Sequence, residues 1–242
     1  MPDIVLWVES SGLGDHLIYS TIPELFARRG FRVFVSNDIT TRNAEVRALL
    51  YEQNPFIMGW TDRPPNAGTG HFKKGMLPNI RCASIIEWIE RAHDLSPTHL
   101  FPKIYYQPRF RHEFAEAIII DPHSISQQFP SHLFQSFVDN LRFPPKQMQV
   151  IKSRHSGPGG AGTLPHCPRV VVGSIYEYID IIYSCQAFIG TESGSSALAS
   201  AIRQTQPTPE IYALTTALNW NERVYIYPNV TYTILDTTLR AR

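Results

Sequence analysis

Short apolar runs alternate along the chain with longer stretches in which apolar residues return every three or four positions. Residues 4–8 form a run of the first kind. Residues 16–29 carry Leu17, Ile18, Ile22, Leu25 and Phe26 at helical spacing and stop at Gly30, and residues 31–35 are apolar again. Strand, helix and strand with short links predict a right-handed βαβ unit with parallel strands. Pro23 falls inside the helical pattern, so it kinks that helix or marks a late start. The pattern then predicts a helix over 43–53, a strand over 56–60 and a helix over 84–93, where Ile85, Ile86, Trp88 and Ile89 oppose Glu87 and Glu90. Residues 62–74, rich in Pro, Gly and Asn, predict a loop.

Residues 96–111 hold Pro97, Pro102 and Pro108 among aromatics and read as a linker, after which the rhythm restarts. Strands are expected over 117–120, 148–151, 170–172, 187–189, 209–214 and 224–226, and helices over 130–141, 175–185 and 195–203. The fold class this implies is α/β: two Rossmann-like lobes with parallel sheets, residues 1–110 and 111–242, facing a cleft.

Composition narrows the class of partner. Of 242 residues 43% are hydrophobic and 18% charged, which supports a sizeable core rather than disorder. Lys plus Arg number 22 against 21 for Asp plus Glu, a balance of +1 that argues against nucleic acid as a partner. Cys82, Cys167 and Cys185 are scattered and predict neither a disulfide framework nor a metal site. Met1-Pro2-Asp3 leads straight into the first strand without a basic segment, and no apolar stretch has the length of a membrane span. The chain reads as cytoplasmic, and peripheral membrane contact is compatible with it.

Candidate chemistry concentrates in two strand-to-helix turns. Gly12-Leu13-Gly14-Asp15 follows the first strand, and Gly190-Thr191-Glu192-Ser193-Gly194-Ser195-Ser196 follows the strand at 187–189. Helix N-termini attract anions. The first turn nevertheless carries a carboxylate, while the second offers hydroxyls and glycine, so the two have different tasks. A dinucleotide fingerprint fails at the first, because Leu17 stands where the third glycine belongs and Asp15 where a pyrophosphate would lie. Asp15 is either an N-cap or a general base for a substrate hydroxyl. The second turn is either an ordinary capped helix or a diphosphate cradle, with Glu192 directed at hydroxyls. The glycines at 157–162 lack the G-K-[ST] ending of a phosphate loop. Asp121-Pro122-His123 lacks companion ligands, so His123 reads as a turn residue and no metal is expected. The basic loop at 63–74, with Lys73 and Lys74, is a solvated face or a seat for an anionic acceptor.

These residues resemble a known family. Gly12-Leu13-Gly14-Asp15-His16-Leu17 is similar to the G-x-[LI]-G-D opening of the ADP-heptose:lipopolysaccharide heptosyltransferases. The stretch from Tyr178-Ile179-Asp180 through Phe188-Ile189-Gly190-Thr191-Glu192-Ser193-Gly194 resembles their second signature, a helix, an apolar strand and G-[ND]-[DE]-[ST]-G. Ile118-Ile119-Ile120-Asp121-Pro122-His123-Ser124 is similar to the strand and turn that open their C-terminal half. Where the family carries Lys or Arg ahead of Trp-Pro this chain has Ser126-Gln127-Gln128-Phe129-Pro130, and Ala197 replaces a frequent histidine.

The resemblance implies a GT-B glycosyltransferase with acceptor on the N-terminal lobe, nucleotide sugar on the C-terminal lobe, and neither metal nor cofactor. Asp15 matches the general base, and Gly12, Leu13 and Gly14 shape its turn on the acceptor side with Lys73 and Lys74. Glu192 matches a contact to donor-sugar hydroxyls, and Thr191, Ser193, Gly194, Ser195 and Ser196 match the diphosphate turn. His123, Ser124, Ser126 and Gln127 fall on the loop facing the donor. The implied reaction is inverting transfer from a nucleotide-sugar donor to a glycan or lipid-linked acceptor in bacterial surface-polysaccharide or lipopolysaccharide synthesis, peripheral to the inner membrane. A non-catalytic nucleotide-sugar or glycan binding module and a sugar-nucleotide epimerase remain open alternatives. The nucleotide base, the sugar and the oligomeric state are left open.

Overall fold

The computed structural model describes residues 1–71, 82–123, 129–153, 164, 167–203, 207–222 and 226–235. The chain divides into two compact units, Met1–Gln107 and Pro108–Arg242.

In the first unit β1 (Asp3–Trp7), β2 (Arg32–Ser36), β3 (Ile57–Thr61) and β4 (Ala67–Gly68) make a parallel sheet in the order β3-β2-β1-β4. Ile4, Val5 and Leu6 of β1 are buried in succession, because helices cover both faces of a parallel sheet and leave no polar side. The single helix expected over 16–29 is two, α1 (Leu13–Leu17) and α2 (Ile22–Arg28). Pro23 sits in the first turn of α2, where its missing N–H costs nothing. Carried deeper into one long helix, it would break the ladder at Tyr19. The helix expected over 43–53 is α3 (Ala44–Arg47), which runs on as a π-helical turn, Ala48–Glu52. Next comes α4 (Ile85–Ala92), capped by Ser84, whose Oγ accepts from Glu87 N at 3.2 Å while Glu87 Oε2 accepts from Ala83 N at 2.8 Å.

The loop expected over 62–74 conceals β4. Asn66 prepares it by using its side chain as a short stretch of strand: Oδ1 accepts from Val5 N at 2.7 Å and Nδ2 donates to Asp3 O at 3.1 Å. Gly68 then runs beside β1 at φ +100°, where a Cβ would lie 1.8 Å from Trp7 O. The proline-rich stretch at 96–111 has no helix or strand before residue 112, but it is not loose. Lys103 N donates to Ser20 Oγ at 2.8 Å, the Lys103 ammonium pairs with buried Glu24, and Tyr105 Oη donates to Glu24 at 3.1 Å. His99 Nδ1 meets buried Glu90 at 2.7 Å.

In the second unit β5 (Ile118–Asp121), β6 (Met148–Ser153), β7 (Arg169–Val172), β8 (Ala187–Thr191), β9 (Glu210–Thr216) and β10 (Thr231–Leu235) pair in parallel as β10-β9-β8-β5-β6-β7. Read from β7, this is the doubly wound order in which the fourth strand of the unit lies beside the first. Helices α5 (Ser131–Asn140), α6 (Ile175–Ser184), α7 (Gly194–Arg203) and α8 (Ala217–Glu222) connect it. Its core joins Ile118, Ile120 and Ile189 of the sheet to Phe134, Phe137 and Val138 of α5. Neither α8 nor β10 was expected. Of the strand expected over 224–226, Val224 and Tyr225 lie outside the described residues and Ile226 is buried but not in a strand.

Candidate functional site

In open parallel sheets ligands gather beyond the carboxyl ends of the strands where the strand order reverses. That point lies between β1 and β4 in the first unit and between β5 and β8 in the second. Both turns singled out in the sequence leave their sheets there.

At the first turn Gly12 is the N-cap of α1, with extended backbone at φ −70° and ψ 139°, and its carbonyl accepts from His16 N at 3.2 Å. Asp15 is therefore the third residue of the helix and not its cap. Its half-buried carboxylate turns back on the loop: Oδ2 accepts from Ser10 Oγ, and that hydroxyl accepts in turn from Gly12 N at 3.2 Å. A Cβ on Gly12 would lie 2.7 Å from Asp15 Oδ2, so any larger residue here would push the carboxylate from its place. Gly14 is buried beneath, and its carbonyl accepts from Ile18 N at 3.2 Å. Leu13 opens the helix.

The neighbouring His16 has another role. It is buried, its Nε2–H donates to Thr40 O at 3.0 Å, and its Nδ1 accepts from Tyr51 Oη. Both ring nitrogens are occupied, and burial pushes the imidazole below its usual range, so it is a neutral anchor for α1. That leaves Asp15 as the candidate reactive group of this turn. Lys73 and Lys74, expected on the same side, lie outside the described residues.

At the second turn β8 delivers Thr191, and α7 begins at Gly194. Ser193 is its cap: Oγ accepts from Ser195 N at 3.3 Å, its carbonyl accepts from Ala197 N at 3.1 Å, and its own N–H donates to Ser196 Oγ at 3.1 Å. Ser196 is fully buried and donates to Ser193 O at 2.9 Å, so its hydroxyl closes the cap. The Ser193 and Ser195 hydroxyls pair at 2.7 Å beside half-buried Gly194. Glu192 is buried, with its carboxylate accepting from Thr215 Oγ1 and its N–H donating to Leu214 O at 2.8 Å.

Beside this turn the end of β5 places Asp121 opposite Gly190 in the sheet register. Asp121 is buried and accepts from Tyr178 Oη at 2.6 Å and from His123 N at 3.0 Å, while the Ser195 hydroxyl also faces it. Burial pushes its carboxyl above the usual range, against the opposing pull of these donors. The Tyr178 hydroxyl is pushed up by burial and by Asp121. The sequence reading passed over this pair, since 57 residues separate them. Ser124, Ser126 and Gln127 lie outside the described residues. Among the described residues no group of three or more His, Cys, Asp or Glu side chains is arranged to hold a metal.

No family model matches the chain, and no curated protein matches it. Solved structures do. The iron-containing dodecameric glycosyltransferase TibC from enterotoxigenic E. coli H10407 superposes with a TM-score of 0.63 at 16% identity, covering 96% of this chain and 64% of its own. The E. coli ADP-heptose lipopolysaccharide heptosyltransferase II gives 0.61 at 14% identity, with 98% and 91% covered. A glycosyltransferase of family 9 from Veillonella parvula DSM 2008 gives 0.56 at 10%, with 98% and 86% covered. This chain thus spans just under two thirds of TibC and most of the other two. Its fold is that of the heptosyltransferase-like glycosyltransferases, two Rossmann-like α/β units of the GT-B class.

Proposed function

We propose that the protein is a glycosyltransferase that moves a sugar from a nucleotide-sugar donor to an acceptor hydroxyl, with inversion, in one displacement. The observation that carries this reading is the position of the two turns: each opens at the strand-order reversal of its own sheet, one with a half-buried carboxylate held by its loop and one with a capped helix start. Asp15 takes the proton of the acceptor hydroxyl, that oxygen attacks the anomeric carbon, and a nucleoside diphosphate departs. The leaving diphosphate gains negative charge, which first-turn N–H groups of α7 and the Ser193 and Ser195 hydroxyls are fixed to receive. In this reading those donors, not a cation, stabilise the leaving group. Glu192, steadied by Thr215, contacts donor-sugar hydroxyls.

The neighbours support the donor class, since one is TibC in complex with ADP-D-β-D-heptose and another the E. coli heptosyltransferase WaaC with ADP. We assign the acceptor to the glycans or lipid-linked glycans of bacterial surface polysaccharide, met at the membrane surface. The decisive experiment is a thermal-shift screen with ADP, GDP, UDP and TDP and their sugars, followed by transfer assays on wild type and Asp15→Asn. Loss of a base is expected to lower turnover by about 10²- to 10⁴-fold. Near-normal transfer by the variant overturns the role of Asp15. Stabilisation by nucleotides without turnover on any donor overturns the enzyme and leaves a binding module.

A further inference from the structure

We propose that Asp121 is a positioning residue of the donor turn, and that a nucleoside diphosphate seated on the first turn of α7 binds together with a proton taken up by that carboxyl. The inference rests on the donor reading above. Three segments meet on this one side chain: the loop after β5 through His123 N at 3.0 Å, α6 through Tyr178 Oη at 2.6 Å, and the first turn of α7 through Ser195. Asp121 also stands opposite Gly190, so it lies at the reversal point itself. Two polar atoms at the same strand ends, His123 Nδ1 and the fully buried Thr191 Oγ1, have no hydrogen-bond partner among the described residues. Buried polar atoms are nearly always satisfied, so both are places where a ligand that parts the strand ends would gain a bond.

A diphosphate brings a conflict. The N-terminus of α7 favours an anion nearby, and the chain already holds a carboxyl there. Glu192 is a second carboxyl at this end of the sheet, where Thr215 Oγ1 donates to it, and the Asp121→Asn variant separates the proton taken up by Asp121 from any taken up there. Two anions side by side in a buried place cannot both ionise cheaply, so one must carry a proton. Burial already pushes the Asp121 carboxyl upward, while Tyr178, His123 and Ser195 pull it down. An arriving diphosphate adds to the upward push. The proton comes from solvent, stays on Asp121 while the diphosphate is bound, and returns to solvent when it leaves.

The sign follows from linkage. A carboxyl that is easier to protonate in the complex than in the free protein makes affinity full at low pH. Affinity then falls by up to about tenfold per pH unit as pH rises between the free and bound values. The test is calorimetry on the whole chain with ADP, GDP, UDP and TDP between pH 5 and 8, in buffers of differing ionisation enthalpy. Wild type is expected to take up a fraction of a proton on binding and to lose affinity as pH rises. Asp121→Asn is expected to lose that uptake and to bind more tightly than wild type at the top of the range by about threefold or more. Tyr178→Phe removes a donor to the ionised carboxyl, so its loss of affinity shifts to higher pH. Equal proton uptake and parallel profiles in wild type and Asp121→Asn overturn the proposal. If Asp121→Asn does not fold, an unshifted profile in Tyr178→Phe overturns it. Failure of all four diphosphates to bind wild type at any pH refutes the donor reading itself, and this inference with it.

Discussion

Gly12 and Asp15 share one small space: a Cβ on the glycine would sit 2.7 Å from Asp15 Oδ2. The backbone at Gly12, φ −70°, suits any residue, so alanine there displaces the carboxylate without straining the backbone. Gly12→Ala is therefore expected to leave stability within about 0.5 kcal/mol of wild type, since the gain in chain stiffness offsets the crowding. Transfer is expected to fall by about 10²-fold, because a shift of about an ångström at a reacting group costs that much. Thermal unfolding and turnover measured together check this, and unchanged turnover counts against Asp15 as the base.

Ser10 holds the same carboxylate from the other side. Its hydroxyl donates to Asp15 Oδ2 and accepts from Gly12 N, which fixes both the loop and the acid. Ser10→Ala removes one donor to the carboxylate and loosens its orientation. The expected outcome is a fall of about tenfold in kcat with little change in KM for the donor, which the proposed mechanism seats on the other unit. A rise in donor KM with kcat intact would place Ser10 in the donor site instead.

How far the sequence foretold these contacts depended on their span. The apolar runs 4–6 in β1, 118–120 in β5 and 187–189 in β8 are central and buried on both faces, so they stand out. β4 has two residues and takes its first pairing from the Asn66 side chain, which leaves no periodicity to read. β10 is an edge strand carrying Thr231 and Thr233, and its partial exposure hides it among loop residues. Both turns were legible because small residues followed apolar runs. The use of each hydroxyl was not: Ser196 closes a cap that only the coordinates of Ser193 reveal, and Tyr178 reaches Asp121 through the packing of α6 on the sheet.

Glu24 makes the first unit sensitive to acid. It is buried and meets Lys103, Arg28 Nη2 at 2.5 Å and Tyr105, with His99 Nε2 at 3.9 Å. Burial alone would raise its carboxyl, but Lys103 above all, with Tyr105 and Arg28, holds it below the usual glutamate range. A depressed carboxyl contributes stability at neutral pH and loses it as pH falls through its folded value, below about pH 4.3. Lys103→Met leaves Glu24 with mainly the exposed Arg28 as its charged partner and is expected to cost about 3 kcal/mol at pH 7. The gap between variant and wild type should then narrow on acidification, as Glu24 is neutralised in both. Urea unfolding at a series of pH values measures it, and a gap independent of pH would show that Lys103 acts through packing.

Thr191 separates stability from binding most sharply. Its Oγ1 is fully buried and has no hydrogen-bond partner among the described residues, although a threonine could be replaced here by a valine of nearly the same shape. A buried hydroxyl without a partner costs about 1–3 kcal/mol relative to one that is satisfied. Thr191→Val removes that cost and is expected to raise the melting temperature of the free protein. If the donor supplies the missing partner, the same substitution weakens nucleotide binding, because the complex loses a bond that the free protein never had. Stability up and affinity down would mark Thr191 as a position kept for its ligand. Stability down would instead show that the hydroxyl serves the fold, and the donor would have to be held by Ser193, Ser195 and the first turn of α7 without it.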